Sequence, residues 1–96
     1  MSAPAHGSPA FKKAVKESKT LKQQPNNDEM LELYGYFKIV QKEDISKAAK
    51  PGMFDLKGKA KYSAWQKVVD AKTTPDQADK KYVEAVNKLK TKYGTQ

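Results

Sequence analysis

Residues 33–38, Leu-Tyr-Gly-Tyr-Phe-Lys, combine three aromatic rings with a lysine, groups that can bind a flat, anionic ligand. At 100° per residue a helix separates this segment into two faces. One face carries the core-type side chains of Leu33, Tyr36 and Val40, with Phe37 at its edge. The other carries Met30, Tyr34 and Lys38, spaced four apart, with Leu31 beside them. The second face suits a ligand, but spacing alone equally fits a solvated boundary.

A second basic stretch lies at residues 55–65 and reads DLKGKAKYSAW. It places Lys57, Lys59 and Lys61 around Gly58, directly before an aromatic segment. Lysines in such a run can bind phosphates as compact point charges. A charge run is also typical of a solvated helix face, so this stretch alone does not decide between the two interpretations.

The charge balance favours an anionic partner. The chain has 19 basic and 11 acidic residues and a net charge of +8. All the basic residues are lysine, whereas base readout in nucleic acid leans on the planar fork of arginine. The composition therefore indicates phosphates but argues only weakly for nucleic acid. Two alternatives stay open here: a basic helical nucleic-acid-binding module, and a membrane-surface or protein-interaction domain that uses its lysine face.

The residue types argue against an enzyme. The only histidine is His6, which falls in a predicted disordered tail, and there is no cysteine. General acid–base catalysis needs a positioned, pKa-tuned group in a cleft. The acidic residues show no spacing typical of a metal site. We expect no catalytic residue and no metal site.

The length of 96 residues predicts one small domain. Residues 1–7 lack periodicity and are expected to form the disordered tail, leaving residues 8–94 as the domain. The N-terminal segment has neither the basic region nor the apolar region of a secretory signal. No window approaches the ~18 apolar residues of a membrane span. A cytoplasmic protein without stable membrane insertion is expected.

Local signals predict two helices in the first half of the chain. Ser8 is suited to cap a helix with Pro9 in its first turn, and the segment QQPNN at 23–27 interrupts the apolar pattern that follows. Asn27 is the predicted N-cap of a second helix that runs to about Gln41. Residues 43–58 form a long irregular connection, with a short helical turn at 46–49.

The second half predicts two more helices. The third starts near Lys59 and presents Tyr62, Trp65, Val68 and Val69 on one face. Thr74, Pro75 and Gln77 give the fourth a capping box, and Gly94 ends it. Its apolar stripe is Ala78, Tyr82, Val86, Leu89 and Tyr93. The predicted fold class is all-α, with four helices and one long connection between the second and third.

Three segments carry a family resemblance: LKQQPNNDEMLELYGYFK (21–38), KPGMFDLKGKAKYSAW (50–65) and KKYVEAVNKLKTKYG (80–94). Together they resemble the acyl-CoA-binding protein family, in its order and at nearly its spacing, over about residues 8–94. The resemblance implies a four-helix bundle of up-down-down-up topology without a cofactor. It also implies a cytoplasmic, monomeric carrier that binds medium- to long-chain fatty acyl-CoA and transiently contacts the enzymes that use it.

The resemblance also implies a set of site residues. Tyr34, Phe37 and Lys38 on the second helix would form the nucleotide site, and Lys57 and Lys61 would serve the phosphates. Lys19 on the first helix and Tyr82 on the fourth would complete the ligand's surroundings. Met30 and Leu31 would line the acyl-chain groove.

This chain departs from the family pattern at three places. Phe37 stands where the family usually has Tyr, so a ring is kept and a hydroxyl is lost. Residues 39–44 read Ile-Val-Gln-Lys-Glu-Asp where the family commonly has Gln-Ala-Thr-x-Gly-Asp. One extra residue precedes Pro51. The geometry of the loop at 41–50 therefore does not follow from the family.

Overall fold

The computed structural model describes residues 4–95 and contains four α-helices in this range. They are α1 (Pro9–Glu17), α2 (Asn27–Val40), α3 (Leu56–Asp70) and α4 (Pro75–Tyr93), and a short 3₁₀ helix (Ile45–Lys47) interrupts the connection from α2 to α3. Within the described part there is no β-strand, and an isolated β-bridge pairs Leu21 with Thr95. The predicted all-α class with four helices is confirmed.

Two predicted helix starts are confirmed by their side-chain hydrogen bonds. The backbone N–H of Phe11 donates to the Ser8 hydroxyl over 3.0 Å at the start of α1. In α4, the backbone N–H of Gln77 donates to the Thr74 hydroxyl over 3.2 Å. The Thr74 N–H returns a bond to the Gln77 side chain over 3.0 Å, which completes the capping box. Gly94 ends α4 with a φ of 77°, which glycine adopts without strain.

Three boundaries differ from the prediction. The N-cap of α2 is Asn26 rather than Asn27, because Asn26 and Glu29 exchange backbone-to-side-chain bonds of 2.9 Å each. Helix α3 begins at Leu56, three residues before Lys59, because the Asp55 carboxylate accepts the Gly58 N–H over 2.9 Å. Helix α1 ends at Glu17, so Lys19 lies beyond it and not on the first helix.

The order of contacts along the chain gives the helix directions. Ser8 contacts Asp79 and Glu17 contacts Lys90, so α1 and α4 run parallel. Tyr34 lies near Lys61 and Lys38 near Trp65, so α2 and α3 run parallel as well. Glu29 at the start of α2 binds Tyr93 at the end of α4, which makes those two helices antiparallel. This is the up-down-down-up arrangement.

The core lies where α1, α2 and α4 meet. Phe11, Phe37 and Tyr82 form its aromatic centre, with ring centroids 4.7 to 6.5 Å apart. Around them pack the aliphatic core side chains Ala14, Val15, Leu21, Leu33, Val40, Ala78, Val86 and Leu89. Tyr36 and Tyr93 pack against this cluster while only partly buried.

Gly35 lets α2 approach α3 closely. A Cβ at this position would lie 2.9 Å from a Val68 methyl carbon and 3.1 Å from the Ala64 carbonyl oxygen. Both distances are shorter than van der Waals contact, so a larger residue would force the helices apart. The glycine of the aromatic segment thus sets the spacing of the two helices that carry Tyr34 and Lys61.

Candidate ligand-binding groove

A groove of about 690 Å³ opens between α2, the connection and the first half of α3. Tyr34 and Lys38 of α2 form one wall. The opposite wall consists of Asp55, Gly58, Lys61, Tyr62 and Trp65. Residues 43–44 and 47–52 of the connection close the end. The groove therefore combines the two segments that the sequence singled out.

Two ammonium groups lie close to the ring of Tyr34. The Nζ of Lys38 is 5.5 Å from the ring centre, and the Nζ of Lys61 is 5.7 Å from it. Both distances are typical of cation–π contacts. A half-buried phenol with two cations nearby combines an aromatic ring with positive charge, and this combination suits a nucleotide.

Trp65 supports this arrangement from α3. Its ring centre lies 5.4 Å from the Lys38 Nζ, so Lys38 contacts two aromatic rings. The indole is buried, and its N–H has no hydrogen-bond partner among the described residues. Sequence reasoning placed Trp65 on an aromatic face of the third helix but did not assign it to the site.

Glu43 pairs with Lys38 in this groove. The Lys38 ammonium donates to both carboxylate oxygens of Glu43, over 3.0 and 2.9 Å. The helix end explains how two residues five apart meet. Lys42 has a φ of 59°, and the N–H groups of Glu43 and Lys42 donate to the Lys38 and Ile39 carbonyls. This is a Schellman motif, which folds the chain back over the last turn of α2.

The connection is held in place by its own short-range contacts. Asp44 accepts hydrogen bonds from the backbone N–H and the hydroxyl of Ser46, over 2.9 and 2.6 Å, and these bonds lower the pKa of its carboxyl group. Ile45 is buried and anchors the 3₁₀ helix. Lys47 and Lys50 of the connection also line the groove. Sequence reasoning did not assign them, because it treated residues 43–58 as irregular.

The groove has an excess of accessible positive charge. Four lysines line it: Lys38, Lys47, Lys50 and Lys61. Of its three carboxylates, those of Asp44 and Asp55 already accept hydrogen bonds at helix starts, and Glu43 is paired with Lys38. An anionic ligand is therefore the chemistry that the lining favours.

The structure brings together three of the predicted site residues, Tyr34, Lys38 and Lys61. Lys19 and Lys57 are exposed and do not line the groove. Phe37 is only 8% exposed and Tyr82 is 0% exposed, both within the core. Met30 and Leu31 lie about one turn before Tyr34 on α2, where Met30 is 43% exposed and Leu31 half-buried.

Tyr82 is a buried phenol at the centre of the core. Its hydroxyl makes no hydrogen bond of normal geometry within the described range. Burial raises the pKa of this phenol, an effect that the Ser18 side chain partly offsets. A buried hydroxyl that lacks a hydrogen-bond partner lowers the stability of the fold by about 1–3 kcal/mol. The Tyr82 hydroxyl is therefore still able to form a favourable hydrogen bond.

The predicted tail at 1–7 lies partly outside the described residues. Where it is described, the Gln41 side chain accepts hydrogen bonds from the N–H groups of Ala5 and His6, each over 2.9 Å, and donates to the His6 carbonyl over 2.8 Å.

Within residues 4–95, no helix combines the length and the apolar character needed to cross a bilayer.

Comparison with known proteins identifies the family. The family model described as acyl CoA binding protein matches residues 8–86. The chain belongs to the acyl-CoA-binding protein family. Acyl-CoA-binding protein homolog 1 of Caenorhabditis elegans is 48% identical over 85 residues, which cover 88% of this chain and 95% of that protein. The Drosophila melanogaster homolog is 40% identical over 83 residues, or 86% and 93% of the two chains.

A solved structure supports the fold assignment. The crystal structure of Oryza sativa acyl-CoA-binding protein 2 superposes with a TM-score of 0.75 at 28% identity. The match covers 86% of this chain and 89% of the rice protein. The nucleic-acid alternative gains no support from the family match or from these relatives.

Proposed function

We propose that this protein binds medium- to long-chain fatty acyl-CoA esters in the groove and carries them, as a buffered pool, between the enzymes that make and use them. The observation that carries the proposal is the position of the Lys38 and Lys61 ammonium groups within about 6 Å of the Tyr34 ring centre. Membership of the acyl-CoA-binding protein family supports the ligand class.

The headgroup suits the groove chemically. CoA presents a purine, which can stack on Tyr34 for about 1–3 kcal/mol. Its phosphates suit the ammonium groups of Lys38 and Lys61, and exposed ion pairs contribute about 0–1 kcal/mol each. Lys47 and Lys50 add positive charge at the closed end of the groove. This part of the site would select for a nucleotide and reject a free fatty acid.

The hydrocarbon tail would supply most of the affinity. Burial of a methylene contributes roughly 0.8 kcal/mol, so about ten methylenes approach 8 kcal/mol before the cost of ordering the chain. We assign this part of the ligand to the apolar path beside Met30 and Leu31, one of which remains substantially exposed. The tail therefore sets the strength of binding and the headgroup its selectivity.

The other proposed contacts have weaker geometric support. Lys19 and Lys57 are retained as phosphate contacts through their long, exposed side chains. We also keep Phe37 as a proposed ring contact and Tyr82 as a proposed hydroxyl contact. Because both side chains are buried in the core, they would meet the ligand only where the ligand reaches the edge of the core. Tyr34, Lys38 and Lys61 are accordingly the first choices for mutation.

The proposed action involves binding and release and no bond-breaking step. We therefore propose a carrier rather than an enzyme, active as a cytoplasmic monomer that contacts acyl-CoA-using enzymes transiently. Retention of the thioester intact after incubation with the protein is the expected result of a mass-spectrometric assay.

The sole tryptophan offers a test that also locates the ligand. Trp65 lines the groove and contacts Lys38, so occupancy of the groove by acyl-CoA should change its emission. A saturable change with acyl-CoA, reduced in Tyr34→Ala, is expected. Acyl-CoA binding by calorimetry with no change in Trp65 emission would place the ligand elsewhere, and no binding by either method would refute the proposed function.

A further inference from the structure

A cluster of exposed apolar side chains precedes α3. Met53, Phe54 and Leu56 are 74%, 91% and 76% exposed, and they include the most exposed large apolar residues of the described chain. Phe54 lies in a turn and Leu56 begins the helix, so the three side chains project from one short bend. Exposed apolar side chains grouped in this way are typical of a surface that contacts a protein, a membrane or a ligand.

The flanks of this bend are basic. Lys50 precedes it, Lys57 and Lys59 follow it, and all three side chains are exposed. The only acid between them is Asp55, whose carboxylate accepts the Gly58 N–H at the helix start. The bend therefore carries apolar groups at its tip and ammonium groups at its base.

This combination matches the chemistry of an anionic bilayer. Apolar and aromatic side chains enter the boundary between headgroups and acyl chains, while lysines bind the lipid phosphates. We propose that residues 50–59 form a membrane-contact surface for anionic lipid. A few apolar side chains and a few lysines give reversible binding, as expected of a contact made on the bilayer surface.

The position of the bend gives the contact a consequence for the groove. Pro51, Gly52 and Asp55 line the groove, while Met53, Phe54 and Leu56 lie on its outer side. Insertion of the tip would therefore bring the rim of the groove to the bilayer surface. If the groove takes acyl-CoA as proposed above, it would then face the phase in which an acyl chain dissolves. The membrane contact itself does not depend on that ligand.

Cosedimentation of the full chain with vesicles tests the proposal. Wild-type protein should bind vesicles of phosphatidylcholine mixed with phosphatidylserine more strongly than phosphatidylcholine alone, and added salt should weaken the binding. Phe54→Ser should lower the affinity for the mixed vesicles by about tenfold, because it removes the aromatic side chain that would enter the bilayer. Phe54→Leu keeps an apolar side chain at the same exposed position and should retain most of the vesicle binding.

Two outcomes would overturn the membrane contact. One is equal sedimentation of the wild type and Phe54→Ser, or no sedimentation of either. The other is a loss of acyl-CoA affinity in vesicle-free calorimetry for Phe54→Ser with vesicle binding intact, which would make the bend part of the acyl-chain site. Because the vesicles contain no acyl-CoA, failure of the membrane contact and failure of the proposed carrier function are separate results.

Discussion

The ammonium group of Lys38 donates two hydrogen bonds to the Glu43 carboxylate, over 2.9 and 3.0 Å, while it lies 5.5 Å from the centre of the Tyr34 ring. The Glu43 carboxylate is therefore already bound to the Lys38 ammonium group, which we assign to a ligand phosphate. Glu43 lies in the segment 39–44, where the sequence departs from the family pattern described above. A phosphate that binds Lys38 must replace it.

Removal of the Glu43 charge should strengthen ligand binding. Glu43→Gln frees the Lys38 ammonium from an exposed ion pair, and such pairs are worth about 0–1 kcal/mol, so the affinity for acyl-CoA should rise by up to about fivefold. Calorimetry measures the change. Glu84→Gln, an exposed position on α4 outside the groove lining, removes the same charge and is the matched control. Equal gains in affinity for the two variants would show that the effect comes from the net charge of the protein and not from the release of Lys38.

Loss of the Tyr34 ring should weaken binding without unfolding the domain. The side chain is only half-buried, and stacking on a base contributes about 1–3 kcal/mol, so Tyr34→Ala should lower the affinity for acyl-CoA by about fivefold or more. Tyr34→Phe keeps the ring and should retain most of the affinity. Circular dichroism checks the fold. A similar loss in both variants would assign the effect to the hydroxyl and contradict stacking.

Lys61 should contribute through its charge. Lys61→Ala should lower acyl-CoA affinity by up to about fivefold, and less at high salt, because exposed ion pairs are weak and screened. Lys67→Ala removes an exposed lysine from the last turn of the same helix, outside the groove lining, and should have a smaller effect. Indistinguishable affinities for these two variants would remove Lys61 from the site.

Close contact between α2 and α3 depends on Gly35. Alanine has the higher helix propensity, but its Cβ would lie 3.1 Å from the Ala64 carbonyl oxygen, a backbone atom. Overpacking of this kind costs about 1–3 kcal/mol, so Gly35→Ala should lower the free energy of unfolding in urea. Gly52→Ala, where a Cβ meets no atom within 4 Å, should change it little. A stabilised Gly35→Ala would contradict the proposed close approach.

Glu29 should make stability depend on acidic pH. Its carboxyl accepts hydrogen bonds from Tyr93 (2.6 Å), the Asn26 N–H (2.9 Å) and Lys92 (3.1 Å), which lower its pKa below 4.5 in the folded state. A depressed folded pKa stabilises the fold above the unfolded value, and this contribution is lost as pH falls through the folded pKa.

Urea unfolding across pH measures this contribution. The stability difference between the wild type and Glu29→Gln should be largest near neutral pH and shrink as pH falls from about 4.5. Glu32→Gln, at an exposed acid on the same helix, is the control. A wild-type advantage that stays constant down to low pH would show that the charge of Glu29 is not responsible.

The parts of the fold that sequence predicts best are those whose causes are local. Thr74, Pro75 and Gln77 contain the whole start signal of α4 within four residues, and the structure uses all three. The predicted start of α3 lies three residues too far along the chain, because the Lys-Gly-Lys sequence at 57–59 resembles a loop. The Asp55 cap places these residues in the first turn of the helix. Asn26 and Asn27 are chemically identical caps, and only backbone geometry selects Asn26.

The candidate site likewise has features with local causes, which the sequence predicts, and features that depend on tertiary packing. Tyr34 and Lys38 share a helix face, and helical periodicity alone aligns them. The approach of Lys61 depends on the packing of α3 against Gly35, for which the sequence supplied only a family resemblance. The Glu43 contact depends on a left-handed residue at Lys42, a conformation that lysine does not signal. The closed end of the groove could not be predicted, because a 3₁₀ helix held by Asp44 and Ile45 shapes it.

The central claim is that the protein recognises both the nucleotide headgroup and the acyl chain of one ligand. Titration calorimetry of the wild-type protein with a long-chain acyl-CoA, with CoA and with the free fatty acid tests it most directly. The acyl-CoA should bind at least about a hundredfold more tightly than either fragment, because the tail contributes several kcal/mol and the headgroup adds stacking and ion pairs. An acyl-CoA affinity no higher than that of CoA or of the fatty acid would contradict the account.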